Sequence, residues 1–591
     1  MRARRYHHRA GFSHGLDRKL VARRSFFLLR CFPGNLDLPD PMVNFSQATA
    51  AFQIQTPLGP DAFVLLSFRG TENLSGLFEF ILELGANKAT NVNISSLIGE
   101  FASVALFWDG RVQRHIHGQI CELAAQGSDE HLNRYQMVLR PRLWQLSLVK
   151  QSRIFQNQDA CQILDTVLKP VSGGDQSVFL PPPTRVYSTQ YRETDLAFFN
   201  RLCFEQGIAH YWVHTGLDHR LILSNSTVIA PSSGDCHFNQ SGGGSGDTAS
   251  IKAWETRQTM VNPRVSMRDS HFQLFNYPLT SEGTAKLSVT AGTVPFTISS
   301  STVAWQENAF TNSRYFDSIS PSGETENSAI SVAFDQLPRR AYGLSTAAAC
   351  KAVIAKGHGN CMNLVAGHQF KLHNHPDADG LWLVTSLEHH GKQEGFFWRG
   401  EQLNVTYSNS FEAVPAVYNQ KPWPPVPKPS VGSIETAIVT GPPGQEANLD
   451  QFGRVQVRFW WDASENQSAT SCWIRVAQCW AGQGYGAFFW PRCGHEVVVA
   501  FEHGDPDRPI IVGSLYNSVN VVPMPMPKNS FLSGIKTKTE NGDVAKNFHT
   551  AILSDMMDSA VIYVHAETHM ITNQEKNQVA QSQSRSITLE G

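Results

Sequence analysis

The stretch at residues 450–517 constrains the fold more than any other part of the chain. In residues 454–461 apolar and polar side chains alternate, which is typical of a strand with one buried face. Residues 472–477 and 496–501 are also strand-like, and residues 503–509 bring a glycine and two prolines before a further apolar run. Short strands separated by such turns predict a small closed or nearly closed barrel, of which the OB-fold is one type.

Three ordered motifs in this stretch resemble a known family. They read D-x-x-G-R-V-x-V-x-F-x-W-D from Asp450, S-C-W-I-R-V-A-Q-x-W-A-G from Ser471, and P-R-x-G-x-E-V-x-V-x-F-x-x-G-D-P-D-R-P-I-I-x-G-x-x-Y-N from Pro491. The region resembles the barrel of VgrG proteins, the trimeric spike proteins of bacterial type VI secretion, which are related to the hub and spike of contractile phage tails. The glycine-rich piece at residues 482–486 lacks the strand-to-helix context of a phosphate loop and is interpreted as a turn.

The resemblance extends over residues 52–575. F-R-G-T-E-x-L-S-x-L-F-x-F begins at Phe68, L-R-P-R-L-W-x-L begins at Leu139, and R-I-F-Q begins at Arg153. Y-R-E-T-D-x-x-F-x-x-R-L-x-x-E-x-G-I begins at Tyr191. All four motifs stand where VgrG proteins have similar runs.

A possible duplication and the end of the chain add two further expectations. The strand pair in residues 364–387 resembles the pair in residues 104–120, which hints at two related barrels. In VgrG-like proteins such a duplication lets three chains present six similar barrels, matching a hexameric tube. S-x-I-K-T-x-T at Ser533 leads, in that family, into a β-prism of three intertwined chains. Residues 544–557 depart from the family pattern, and residues 560–589 fit strands that cannot bury a face alone.

The predicted fold class is mainly β with minor α, in several domains, because 591 residues exceed what one core holds. It comprises phage-hub-like β-barrel domains, an OB-like barrel and the start of a trimeric β-prism or β-helix. The predicted division is a basic extension, a phage-hub-like body with two β-barrel subdomains and α/β insertions, a proline-rich linker, the OB-like barrel and a shortened prism start. These are residues 1–41, 42–420, 421–440, 441–525 and 526–591.

Residues 1–41 differ from the rest in being rich in arginine and poor in acidic residues. Such a start is compatible with a targeting peptide, but Arg30 interrupts its apolar run short of a secretory signal. The favoured interpretation is that translation begins at Met42, and disorder is predicted before it. Since no run of about 18 apolar residues occurs, no membrane-spanning helix is predicted.

Hydrophobic periodicity predicts the elements of the body. Strands are expected at residues 62–68, 77–84, 103–108, 114–121, 134–140, 209–213, 220–224, 287–289, 296–298, 364–372 and 381–387, and helices at 159–168, 191–207 and 345–356. Asp159 and Thr194 are the expected helix N-caps, and Gly207 is the expected C-terminal cap. Residues 231–250 are interpreted as a surface loop and residues 374–380 as a turn.

Three groups of side chains are candidates for chemistry, and each has a structural explanation that we favour. A metal could be held by His115 and His117, which share a strand face, but cross-strand packing explains them better. A richer potential metal cluster is His373, His375, Asp377 and Asp379, which the surrounding proline and glycine mark as a turn. An acid/base pair could come from Glu193, Asp195 and Glu205, for which helix-dipole and solvated-face positions are favoured. No catalytic, cofactor-binding or metal-binding residue is therefore assigned.

Charge and cysteine content restrict the partners. The net charge of −2 gives no general attraction to nucleic acid. An OB-like barrel could still bind it locally through arginines and stacking tryptophans, namely Arg454, Arg458, Arg475, Arg492, Arg508, Trp460, Trp473 and Trp480. The favoured alternative is that these arginines pair with acids such as Asp450 and Asp462. Ten scattered cysteines without a C-x-x-C pair predict neither a zinc site nor a redox motif and fit a reducing compartment.

The resemblance implies a structural spike of a contractile injection machine, not an enzyme, and no cofactor. The implied partners are two further copies of the chain, a hexameric Hcp-like tube protein, a PAAR-like tip protein, effectors or adaptors, and baseplate components, with no nucleic acid. The protein would assemble in the bacterial cytoplasm and then be secreted or injected. The alternatives are a phage-tail-like spike carrying a peptidoglycan hydrolase or effector activity, and an inactive truncated remnant.

Overall fold

In a computed structural model, the described residues belong to one unit of the chain, Phe45–Gly591. They are residues 46–576 and 579, without 172–173, 178–183, 241–248, 270–271, 275, 277–278, 286–287, 298–304, 308–326, 396–402, 418, 420–425 and 464–470. The side chains at 291, 305–307 and 327–336 are also left out of the description. The predictions for residues 1–41, and those for the chain beyond residue 579, lie outside the described residues.

Six strands form the first barrel. In chain order, β1 to β6 are Phe52–Gln55, Val64–Asn73, Glu79–Asn87, Phe101–Trp108, Arg111–Ser128 and Leu132–Arg140. Around the barrel they run β1-β4-β5-β6-β3-β2, and each neighbouring pair is antiparallel. Between β1 and β2 the buried side-chain amide of Gln393 donates to the carbonyl oxygens of Phe52 and Leu65, at 2.7 and 2.5 Å. A glutamine from elsewhere in the chain thus satisfies backbone groups at the seam of the barrel.

A mixed α/β insertion follows the first barrel. It contains β7 Lys150–Gln158, α1 Ala160–Leu168, β8 Asp175–Ser177, β9 Arg185–Thr194, α2 Asp195–Gln206, β10 Ala209–His214 and β11 His219–Ser224. Asp159 caps α1 in a reciprocal capping box, Thr194 caps α2, and Gly207 ends α2 in the left-handed conformation, as predicted. The predicted helix start at residue 191 was wrong, because residues 191–194 continue strand β9 up to the cap.

The second barrel repeats the strand order of the first. Its strands are β12 Ser232–His237, β13 Ile251–Gln258, β19 Val353–Gly359, β20 Gln369–His373, β21 Gly380–Glu394 and β22 Asn404–Pro415. They run β12-β20-β21-β22-β19-β13, and a bridge between Phe238 and Ile251 closes the ring. In chain order this is the connectivity of β1 to β6, although β12 and β20 are parallel whereas β1 and β4 are antiparallel. The hint of two related barrels is confirmed at the level of strand order.

An insertion in the second barrel corrects two sequence predictions. It holds β14 Arg264–Asp269, β15 Leu279–Thr284, β16 Ser288–Ala291, β17 Val294–Thr297, β18 Trp305–Glu307 and α3 Asn327–Ala349. The helix predicted at residues 345–356 was misplaced, because α3 ends at Ala349 and β19 follows. Residues 231–250 are not all loop, because β12 pairs with β20 within them.

The two barrels are continuous through β2 and β21, which pair antiparallel and join them in a 12-stranded sheet. The junction is tightly packed at two glycines. A Cβ atom on Gly70 would lie 2.2 Å from the ring of Phe80, and one on Gly391 would lie 2.2 Å from the ring of Phe68. Two buried apolar clusters flank this junction, and each extends from its barrel into the neighbouring insertion. The two barrels therefore form one continuous sheet with two separate cores.

The predicted small barrel is present. Its strands are β23 Glu435–Thr440, β24 Gln456–Phe459, β25 Arg475–Val476, β28 Glu496–Phe501 and β29 Pro509–Leu515, and a hairpin of β26 Ala481–Gly482 and β27 Tyr485–Gly486 projects from it. The sheet order is β24-β23-β28-β29-β25, and an antiparallel bridge between Val455 and Ile474 closes it. The predicted inward face, including Val455, Val457 and Phe459, is buried. The glycine-rich piece is the predicted turn, and β23 lies upstream of the expected start at residue 441.

The last sheet of the described chain is a small antiparallel one. It consists of β30 Leu532–Lys536, β31 Thr550–Ser554 and β32 Val561–His565, in that order. Strand β31 occupies the part of residues 544–557 that departs from the family pattern. The mainly β fold with two larger barrels and an OB-like barrel is confirmed, and the trimeric character of the tail stays a prediction. Among the described residues, no helix is both long and apolar enough to cross a membrane.

Candidate functional site

The tail sheet, β30 to β32, exposes large apolar side chains on both faces. In β32, Val561, Ile562, Tyr563 and Val564 are all exposed, and Ile562 is 75% exposed. Ile535 in β30 and Leu553 in β31 are exposed as well. Three short strands with no covered face lack the burial that an isolated sheet needs. This sheet therefore requires further chain to cover it.

The OB-like barrel carries an aromatic patch on its surface, which we define as Trp480, Tyr485, Phe488, Phe489 and Trp490. All five side chains are exposed, with Phe488 at 71%. The hairpin of β26 and β27 presents the first two, whose rings meet edge to face at 5.7 Å. An exposed aromatic group of this size is typical of a protein–protein contact surface.

A cluster of ion pairs and hydrogen bonds, the clasp, fastens the barrel to the α/β insertion. The carboxylate of Asp507, in the D-P-D-R-P loop, accepts a hydrogen bond from the backbone N–H of Thr189 in β9 at 2.6 Å. Its other oxygen lies 2.8 Å from Lys428 of the linker, which also pairs with Asp505. The hydroxyl of Tyr191 donates to Glu435 at 2.5 Å. The loop motif thus serves to hold two domains in one orientation.

Four of the five candidate arginines of the barrel pair with acids, and Asp450 is among these acids, as the favoured interpretation predicted. Arg454 pairs with Asp450 at 2.6 Å, and Arg475 pairs with Glu502 at 2.7 Å. Arg508 also pairs with Glu502. These pairs reduce the positive charge that the barrel offers to phosphate groups.

The three candidate acids form part of a buried charge network, with Glu193 at the end of strand β9 and Asp195 and Glu205 in helix α2. The guanidinium of Arg201 is fully buried and pairs with Glu193 at 2.5 Å and Glu205 at 3.1 Å. Glu205 also pairs with Arg185 of β9 at 3.0 Å. Asp195 is buried and accepts hydrogen bonds from Gln151, Arg153 and Gln190. The predicted solvated position of Glu205 was wrong, because strand β9 covers that face of the helix.

The predicted turn at residues 374–380 uses its polar side chains to hold its own backbone. The carboxylate of Asp379 accepts hydrogen bonds from the backbone N–H groups of Asn374 and His375. The Nδ1 atom of His375 accepts from the N–H groups of Asp377 and Ala378. This bonding confirms the turn and gives these side chains a structural role.

His115 and His117 lie beside a group of residues that the sequence did not connect with them. His117 Nδ1 lies 2.9 Å from Nδ1 of His219, and the backbone N–H of His117 donates to Nδ1 of His214 at 3.2 Å. The β10–β11 turn brings in Asp218, which lies 3.2 Å from Arg142. We call His115, His117, His214 and His219 the histidine cluster.

Two members of the histidine cluster, together with Asp218, have a donor set that Zn²⁺ accepts. One ligand atom each of His117, Asp218 and His219 lies within 4.8 Å of the other two. The hydrogen bonds argue against a metal. Nε2 of His219 accepts the backbone N–H of Arg142 at 3.0 Å, so the neutral ring carries its proton on Nδ1, the atom nearest His117. The adjacent guanidinium of Arg142 further disfavours a cation.

Sequence comparison identifies the architecture. Residues 71–395 match the model of the phage tail baseplate hub family (GPD), which is more than half of the chain. Residues 445–516 match the type VI secretion system/phage-baseplate injector OB domain. The chain is a member of the VgrG family of phage tail baseplate hub proteins.

Relatives of this VgrG chain align along most of its length. The type VI secretion system spike protein VgrG1b of Pseudomonas aeruginosa PAO1 is 28% identical over 553 residues, which is 92% of this chain and 71% of the relative. The actin cross-linking toxin VgrG1 of Vibrio cholerae O1 is 29% identical over 569 residues, which is 92% of this chain and 48% of the toxin. Among solved structures, the E. coli c3393 protein, a component of the type VI secretion system, superposes with a TM-score of 0.52 at 19% identity, over 78% of this chain and 99% of that one. This last likeness concerns the fold alone.

Two features of this VgrG chain were missed from the sequence. The clasp has a local signal, because Asp505 and Asp507 flank a proline in a short loop, but its partners Thr189 and Lys428 are distant in sequence. The histidine cluster has a weaker signal, because His214 and His219 flank a tight turn. Their contact with β5 depends on tertiary packing.

Proposed function

We propose that this chain is a structural spike component of a bacterial type VI secretion or related contractile injection machine. Three copies would join through the tail sheet and the barrel surface and be driven through a target envelope. The observation that carries the proposal is the tail sheet, in which every apolar side chain of β32 is exposed. Two further copies would supply the missing cover, because apolar surface of this kind is stable only when buried.

The body supports the further proposal that the trimer sits on a hexameric, Hcp-like tube. One chain contains two barrels of equal strand order, so three chains would present six similar barrels. We also propose a PAAR-like tip protein, effectors or adaptors, and baseplate components as partners. The protein would assemble in the cytoplasm and then be secreted or injected.

We propose that the spike role needs no catalytic activity of its own. The candidate acids Glu193, Asp195 and Glu205 are bonded to arginines and neighbouring amides, and the polar side chains of the 374–380 turn hold its own backbone. The second candidate function, a spike that carries a hydrolase or effector activity, is favoured by one relative's name, the actin cross-linking toxin. Assays of the purified chain on peptidoglycan and on actin would separate the two.

The first experiment is the mass of the purified full chain by light scattering at several concentrations. We expect about three times the 65.6 kDa of one chain. Replacing Ile562→Asp places a charge where a neighbouring chain would pack, and we expect dissociation to monomers that keep their fold. Met260→Asp, at a comparably exposed methionine of the body, is the matched control. A monomeric wild-type chain would contradict the proposal and favour the inactive remnant.

A further inference from the structure

The histidine cluster lies where two parts of the fold meet. His115 and His117 belong to β5 of the first barrel, whereas His214 ends β10 and His219 begins β11 of the insertion. Aromatic rings enclose the cluster. Measured between ring centroids, Phe101 stacks on His117 at 5.3 Å, the ring of Phe78 lies 4.8 Å from that of His214, and the ring of Trp212 lies 5.7 Å from that of His219. The β10–β11 hairpin is thus joined to the barrel through the buried imidazoles of His117 and His219 and the partly buried imidazole of His214.

The hydrogen bonds fix which nitrogen of each ring carries a proton. His219 accepts the N–H of Arg142 at Nε2, so its Nδ1–H donates to Nδ1 of His117. His214 accepts the N–H of His117 at Nδ1, which leaves its proton on Nε2. That Nε2 atom is buried without a hydrogen-bond partner among the described residues. All three rings are neutral in this arrangement.

A proton taken from solvent would break these contacts. On His219 it would occupy Nε2 and displace the N–H of Arg142, and on His214 it would occupy Nδ1 and displace the N–H of His117. On His117 it would place two N–H groups, from His117 and His219, against each other across 2.9 Å. In this cluster a neutral ring is therefore a condition of the observed packing.

The charges that face the cluster partly offset one another, and burial remains the main cause that keeps the rings neutral. Asp218 raises the pKa of His117 more than Arg142 lowers it, and Glu72 raises the pKa of His214 more than Arg114 lowers it, but burial outweighs both acids. Arg142 lies beside it, with its guanidinium over the ring of Phe101 at 4.5 Å, and Arg114 faces it from β5. The acids are Asp218, paired with Arg142, and Glu72, paired with Arg114. Each acid is thus already shared with an arginine.

We propose that the histidine cluster is a proton-responsive joint, which holds the β10–β11 hairpin on the first barrel when it is neutral and releases it in acid. The ligand is the proton. The proposal rests on the hydrogen-bonded geometry above and is independent of the spike function, since it concerns a joint within one chain.

The direction of the pH dependence follows from the same burial. Burial, together with the neighbouring rings and Arg142, lowers the pKa of His219 to about 2, and burial lowers the pKa of His214 to about 3. A released histidine regains its ordinary pKa of 6.5. The released hairpin therefore binds more protons than the joined one below pH 6.5, so the joint is fully stable above that value and is lost as the pH falls towards the lowered pKa values.

Hydrogen–deuterium exchange of the full chain tests the proposal, with peptides from residues 209–224 followed from about pH 7.5 to about pH 4.5 and corrected for intrinsic rates. We expect the opening equilibrium of this hairpin to rise about tenfold per pH unit for each histidine that takes up a proton. Peptides from β21 serve as the internal reference.

His219→Gln and His214→Gln keep an amide that donates and accepts hydrogen bonds but does not titrate. Each variant should lose the pH dependence that one histidine contributes, so that its opening equilibrium rises about tenfold less per pH unit than in the wild type. His131→Gln, at an exposed histidine, should leave this pH dependence unchanged. A wild-type pH dependence in both variants would overturn the proposal. So would protection of the hairpin by Zn²⁺ at neutral pH, which would reveal a metal site. If the variants do not fold, the wild-type chain alone still tests the proposal. A pH dependence of the opening equilibrium that corresponds to less than one proton taken up per opening would overturn the proposal.

Discussion

Glu72 and Arg114 pair in the interior at the junction of the two barrels, and both side chains are almost fully buried. Arg114 also donates to the carbonyl oxygen of Leu364, and His389 lies 3.3 Å from the same guanidinium nitrogen. Burial would raise the pKa of Glu72, but Arg114 and His389 hold it well below its ordinary value of 4.5. The carboxylate therefore contributes stability above pH 4.5, and this contribution is lost as the pH falls through its lowered pKa.

Replacing Glu72→Gln should lower the free energy of unfolding by about 3–5 kcal/mol, because it leaves the Arg114 guanidinium buried without its counter-charge. Glu122→Gln is the matched control, since Glu122 is 62% exposed and pairs with Arg140 at the surface. The control should cost less than about 1 kcal/mol. Urea denaturation of both variants at neutral pH measures the difference, and equal midpoints would show that the buried pair adds nothing.

At the scale of elements, the clasp sets the orientation of the OB-like barrel. Lys428→Met removes the ammonium group that pairs with both Asp505 and Asp507, so the two carboxylates should repel each other. We expect this to weaken the attachment of the barrel to β9 without unfolding either part. We expect faster proteolysis at the linker and unchanged exchange protection in β28. Lys546→Met, at an exposed lysine of the tail, is the control. If Lys428→Met and the control are cleaved at the same rate, the clasp does not hold the domains.

How far the sequence predicts the elements depends on whether their signals are local. Strands β3 and β28 were predicted because their own apolar alternation reports the buried face. Strand β12 was not, because a Ser- and Gly-containing segment becomes a strand only by pairing with distant β20. The burial of Glu205 was missed for the same reason, since helical spacing carries no information about Arg185 on β9.

The same limit applies to the candidate site. The spacing of His115 and His117 placed both histidines on one strand, and the histidine cluster is completed by His214 and His219 from another part of the fold. By contrast, the exposed apolar strand β32 was predicted from the sequence, because apolar residues without a covering partner form a local pattern, whereas β31 was not predicted. Partner surfaces of this kind are therefore easier to predict from the sequence than buried polar clusters.

At the scale of the whole molecule, the spike proposal links assembly to export. In a cell that assembles the machine, we expect Ile562→Asp to reduce both export of this chain and export of the tube protein to the level of a strain lacking the chain. The reason is that one charge on each of three packed strands would prevent the trimer, and an unassembled spike cannot cap the tube. Met260→Asp should be exported like the wild type. Normal export of Ile562→Asp, together with a monomeric mass, would contradict the proposal that the tail sheet must join three copies before assembly.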